Sequence, residues 1–244
     1  WIFKEVFVGY DVSFHPISPE EMRKWYFTPL TWMQQGQEEK VLALAAQHGM
    51  EDFYAEKYLD TLRVGAETEP DELFDKSHGF YIAVIQGFFR DYYYTRGSSF
   101  SLLMEENPEY VRYFTPWAQV VPTAFPNPAE NQIIENYCSG VYLSRDQVTQ
   151  LLRDLEQEPK VMEDLGGVWS DGQLAVLKKA LVTAAELGVG LLEATEVVEP
   201  NPIRPNESTS YSNLYHCDRD GVYLYIDTVS RQIKDAIRES EKQV

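Results

Sequence analysis

Cysteine is nearly absent: Cys138 and Cys217 are the only two in 244 residues. That excludes a disulfide scaffold, which needs several pairs in a short chain, and two reduced thiols are expected. Structural zinc is excluded as well, because no C-x-x-C and no paired Cys/His spacing occurs. Long apolar runs are also missing. Stretches such as residues 43–46 and 81–85 fall far short of the ~20 residues a helix needs to cross a bilayer. Basic residues are scarce, 21 Lys and Arg against 39 Asp and Glu, for a net charge of −18. The acidity is not a tail, since residues 1–122 and 123–244 carry −9 each. Such a surface repels phosphate backbones and anionic lipid, both of which bind by exchanging counterions for Lys or Arg. Nucleic-acid and membrane roles are therefore not expected, whereas a basic protein partner would be attracted and its encounter accelerated.

The familiar catalytic signatures are missing too. There is no G-x-S-x-G elbow, no phosphate-binding G-x-x-x-x-G-K-[ST], no G-x-G-x-x-G and no H-E-x-x-H. No cofactor or metal is expected from any motif. No basic–apolar–small signal peptide is found in the sequence, so a cytoplasmic location is the expectation.

What remains is ordinary globular composition, 44% hydrophobic and 14% aromatic, enough for a sizeable core. The first seventeen residues read as extended, with Val12 and Phe14 alternating with polar neighbours as on a half-buried strand. Ser18 to Glu21 is a capping box with Pro19 at the first helical position. Helical spacing returns over 38–62, with a break at His48 and Gly49. It returns again over 80–94, where Phe80, Val84 and Phe88 form one stripe and Tyr81, Ile85, Phe89 and Tyr92 the next.

Prolines punctuate residues 116–130, the one candidate boundary. Its Trp117, Val120, Val121 and Phe125 argue that it packs. A single domain over 1–244 is expected, with a possible division into a helical part, 1–115, and an α+β part, 131–244. In the second half, 137–143 reads as a strand, Ser144 to Gln147 as a second capping box, and Ser170 as a helix cap. Gly188 reads as a helix stop and 189–198 as extended. Residues 211–217 and 222–226 flank Asp218-Arg-Asp-Gly221 as a hairpin would. A helix over 228–240 follows, with Val229, Ile233 and Ile237 facing inward. The expected fold class is α+β: a largely helical N-terminal half packed with a small mixed or antiparallel C-terminal sheet and its helices.

Few residues stand out as chemistry. His15 and His216 each end a predicted strand, and Asp218 follows His216. If those strands pair, the three, with Arg90, could assemble a hydrolytic or metal-assisted site. Calcium is excluded at Asp218, because the twelfth position of a calcium loop would fall on Val229. Arg90, Tyr93 and Arg96 lie in an Arg- and Tyr-rich stretch of the kind that stacks rings or binds anions. Arg204 and Asn206 lie in a Pro- and Asn-rich loop suited to recognition. In size, acidity and lack of motifs the chain resembles bacterial immunity proteins, a likeness of bulk properties that carries no residue role. The leading expectation is a non-catalytic, inhibitor- or immunity-like module that binds a basic protein; the alternative is the enzyme built around His15, His216 and Asp218.

Overall fold

The computed structural model describes residues 9–122 and 130–241. Residues 1–8, with the start of the predicted N-terminal extended stretch, lie outside the described residues, as does 123–129 with Phe125 and two of the prolines. The fold is α+β. Among the described residues the strands are β1 (Asp11–Ile17), β2 (Tyr92–Arg96), β3 (Ser139–Leu143), β4 (Gly190–Thr195), β5 (Val198–Glu199), β6 (Thr209–Ser210) and β7 (Cys217–Asp218). The α-helices there are α1 (Pro19–Met22), α2 (Thr28–Gln34), α3 (Glu38–Gln47), α4 (Asp52–Ala66), α5 (His78–Phe89), α6 (Phe100–Glu106), α7 (Arg145–Gln157), α8 (Pro159–Val168), α9 (Gln173–Leu187) and α10 (Arg219–Glu241).

The main sheet runs β3-β4-β1-β2-β7, antiparallel except for the β2–β7 pair, and β5 and β6 form a small separate ladder. It takes strands from both sides of the Pro-rich stretch, so β1 and β2 of the largely helical N-terminal half join β3, β4 and β7 in one sheet. Alternate side chains of β1 serve opposite layers. Ile17 packs with α1–α5, while Val12 and Phe14 pack with α6–α9. With a helical layer on each face, β1 is buried along its whole length rather than half-buried, and Ser13 and His15 are buried with it.

Several local signals act where they were expected, although the helix expected to be capped by Ser170 starts at Gln173 after Gly172, with no side-chain cap. Both capping boxes form, Ser18 with Glu21 and Ser144 with Gln147, and Gly188 ends α9 in the left-handed conformation that lacks a Cβ penalty. Between α1 and α2 the helix widens into a π turn over Arg23–Phe27. Pro29, four residues after Trp25, has no N–H to offer the Trp25 carbonyl, and the Tyr58 hydroxyl donates to that carbonyl at 2.7 Å instead.

Three expectations change. The helix predicted over 80–94 stops at Phe89, and Tyr92–Arg96 is a strand between β1 and β7. Gln86 makes the turn, its amide donating to the carbonyls of Asp91 (3.1 Å) and Pro16 (3.3 Å), and the Tyr-rich run then favours strand. The hairpin predicted around 218–221 is instead the start of α10. Asp218 accepts from the Asp220 N–H, and Lys179 holds both carboxylates at 2.6 and 2.7 Å. Finally, only Val229 of the three predicted inward residues is buried; Ile233 and Ile237 face solvent.

Gly221 seats α10 on the sheet, since a Cβ there would stand 1.7 Å from the Tyr94 carbonyl oxygen. Gly221→Ala is expected to lower the unfolding free energy by about 1–3 kcal/mol by forcing the helix off β2. Gly167→Ala in α8, where a Cβ meets nothing within 4 Å, should instead raise it by about 0.5–1 kcal/mol. Urea unfolding of both variants checks the pair of signs.

Candidate functional site

His15 sits in the middle of the main sheet, fully buried on the α5 side. Both amide hydrogens of Gln86 are committed to backbone carbonyls, so its Oε1 faces the imidazole and accepts from Nδ1–H at 2.7 Å. Nε2 is then the acceptor, and the Ser13 hydroxyl donates to it at 2.8 Å. The ring stacks on Tyr92, 5.1 Å between centroids at 12°. Burial pushes its pKa down to about 4 against the opposing Gln86 contact. Ser13, His15 and Gln86 thus look like a hydrolytic triad, but the hydroxyl, imidazole and amide have no solvent-facing surface. They form a closed set whose donors and acceptors satisfy one another.

The residues proposed to join His15 have partners of their own. His216 Nδ1 bonds the Gly87 carbonyl at 2.8 Å, and Asp218 pairs with Lys179. Among the described residues no group of three or more His, Cys, Asp and Glu is placed to hold a metal ion. Both thiols are free and buried; burial raises the Cys138 pKa and pushes Cys217 up to about 12, which suits packing rather than nucleophilic work.

The proposed recognition residues do not share one surface. Arg90 and Arg96 flank β2 at opposite ends, roughly 20 Å of strand apart. Arg90 pairs with Glu21 and lies over the Trp25 ring at 4.8 Å, lining an open cleft of about 680 Å3 with Lys24 and His48. Arg96 pairs with Asp11 at 2.7 Å and lies over Tyr225. Tyr93 is buried between them, bonded to Thr183. Arg204 and Asn206 are exposed on their loop, and Arg204 pairs with Glu207.

A surface the sequence reading passed over does stand out. Tyr215 is 80% exposed and Phe53, on the first turn of α4, is 66% exposed. Lys57 reaches over the Phe53 ring and donates to the Ser210 carbonyl at 2.8 Å, tying α4 to the loop that carries Tyr211, Leu214 and Tyr215. Tyr211, Tyr137 and Phe80 form a triangle of ring contacts at 5.7–6.1 Å, and the Tyr137 hydroxyl donates to Glu199. Glu51, Asp52 and Glu56 are exposed beside Phe53 and make no ion pair with a described residue. The cue was present in Tyr211-Ser-Asn-Leu-Tyr215, a polar loop carrying three large apolar side chains.

No protein-family model matches the chain, and comparison with curated proteins and with solved structures found no match in either.

The buried acids set a pH dependence. Burial pushes the Glu193 carboxyl from 4.5 up to about 7, against the donors Phe100 N–H (2.6 Å) and Ser101 hydroxyl (3.2 Å). Burial and then the Asp11 carboxylate push Glu196 up to about 7, and burial takes Asp75 to about 6. The folded state holds these protons to higher pH than the unfolded chain, so their contribution is full below ~4.5 and lost as pH rises through about 7. His15 and His78, lowered to about 4, act oppositely: their contribution is full above 6.5 and lost as pH falls through about 4. Three carboxyls against two imidazoles predict lower stability at pH 8 than at pH 5.5. Glu193→Gln should narrow that difference in urea unfolding at the two pH values; an unchanged difference would show that Glu193 does not ionise in this range.

Proposed function

We propose that this protein is a non-catalytic binding module that takes a basic protein partner on the surface formed by Phe53, Tyr211, Leu214 and Tyr215. The observation that carries this reading is the union of exposed aromatic rings with unpaired carboxylates at one place. Large exposed apolar groups on a soluble surface mark contact sites, and aromatic side chains supply most of the energy where proteins dock. Glu51, Asp52 and Glu56 add a local negative field to a chain already at −18. Arg and Lys side chains of a partner would pair with these carboxylates and lie over Tyr215 and Phe53. The inhibitor- or immunity-like reading rests on this chemistry, since such proteins work by covering another protein's surface. A hydrolytic or metal-assisted site at His15, His216 and Asp218 gains no support from their placement.

The test is native mass spectrometry of the protein purified gently from its own source, comparing wild type, Phe53→Ser/Tyr215→Ser and Glu51→Lys/Glu56→Lys. All four positions are exposed, so unfolding midpoints should stay within about 0.5 kcal/mol of wild type. The expected result is one basic protein at fixed stoichiometry, weakened at least tenfold in each variant and released by salt. A chain that carries no protein, or one whose capture ignores both variants, overturns the reading.

A further inference from the structure

Helix α10 carries two apolar stripes. Val222, Tyr225 and Val229 are turned toward the sheet, where Val222 and Tyr225 pack with Tyr92, Tyr94 and Cys217. A second stripe, Tyr223, Ile226, Ser230, Ile233, Ile237 and Ser240, repeats at alternating steps of three and four residues, the spacing of a coiled-coil seam. Tyr223 is 55%, Ile233 42% and Ile237 53% exposed. Beyond Ser230, residues 231–241 are exposed on every face. A helical end of this length has little stability in water unless its apolar face is covered.

We infer that this stripe pairs antiparallel with the same stripe of a second copy of the chain. Charge selects that occupant and its register. Residues 231–241 carry three basic and three acidic side chains, so this exposed stretch is neutral within a chain at −18 and adds no net repulsion toward a copy of itself. Pairing centred between Arg231 and Gln232 sets Ile226 against Ile237, Ser230 against Ile233 and Tyr223 against Ser240 of the other copy. In an antiparallel pair the positions following Ile226 and Ile233 face one another. This register therefore brings Asp227 of each chain to Lys234 of the other, in both directions, as two-fold symmetry requires. Neither Asp227 nor Lys234 forms an ion pair with another of the described residues. The two like-charged bodies lie at opposite ends of the helix pair. Their repulsion makes the dimer weaker at low ionic strength. The stripe is narrow beside the ~800 Å2 per partner of a standard interface, so a reversible, concentration-dependent dimer is expected.

Sedimentation equilibrium of the chain from 1 to 200 µM tests this, independently of the partner surface on α4. A monomer–dimer equilibrium tightened by moderate salt is expected. Ile233→Glu/Ile237→Glu should abolish it at every concentration with an unchanged urea midpoint. Asp227→Lys alone and Lys234→Asp alone should each weaken it about tenfold, and the double exchange should restore it. A monomer throughout the range, or an association that the two isoleucine substitutions leave intact, overturns the inference. Single charge variants that weaken pairing without rescue by the double exchange overturn the register.

Discussion

Strand β1 is hydrogen-bonded on both edges and covered by helices on both faces, so every polar side chain it carries must find its partner inside the protein. The rest of the architecture follows from this constraint. Ser13 and His15 point to the α5 side, and α5 supplies Gln86 to close their hydrogen bonds. The same amide turns the chain between α5 and β2, which brings Tyr92 under the imidazole. On the other face, the neighbouring strand places Glu193 at the start of α6, where the Phe100 N–H and the Ser101 hydroxyl meet its carboxyl. Gly140 and Gly221 leave room for these fits, the first against Glu193 and the second against the Tyr94 carbonyl.

An interior closed in this way offers no reacting group to solvent at the place where the chain concentrates polar side chains. Titratable groups with displaced pKa values often mark active sites, but structural networks displace them equally, and His15 belongs to the second kind. What the molecule presents outward is different: aromatic rings on α4 and the 203–215 loop, beside carboxylates at the start of α4 that pair with no described residue, and an apolar stripe along α10. Exposed apolar groups of this kind mark contact sites in proteins generally, and the two lie on different elements.

Elements whose signals are local could be read from the sequence. The Ser18 and Ser144 capping boxes, the Gly188 stop and the strand before Ser144 depend on residues a few positions apart. Features decided by distant partners could not. The Tyr92–Tyr94 run continues the apolar spacing of α5, and only its pairing with β1 and β7 makes it a strand. Asp218 to Gly221 has the composition of a turn, yet Lys179, 39 and 41 residues away from the two aspartates, fastens it as a helix start. His15 was legible as a residue worth testing, but its meaning rests on Gln86, 71 positions on. Arg90 and Arg96 belong to one Arg- and Tyr-rich stretch of sequence, yet the first closes α5 and the second ends β2. Tyr215 falls in a stretch, 211–217, whose composition suggests a strand, and only the fold makes it an exposed turn.

The polar heart of the sheet is closed and neutral. Long-range 1H–15N correlation spectra of the histidine rings, recorded from pH 8 down to 5, measure this directly. His15 is expected to stay in one neutral tautomer with the proton on Nδ1 throughout, and its ring nitrogens to escape acylation by diethylpyrocarbonate in the folded protein. A His15 that titrates near 6.5 and reacts with the reagent would contradict it, and would mean that solvent reaches a Ser–His–Gln arrangement able to do chemistry.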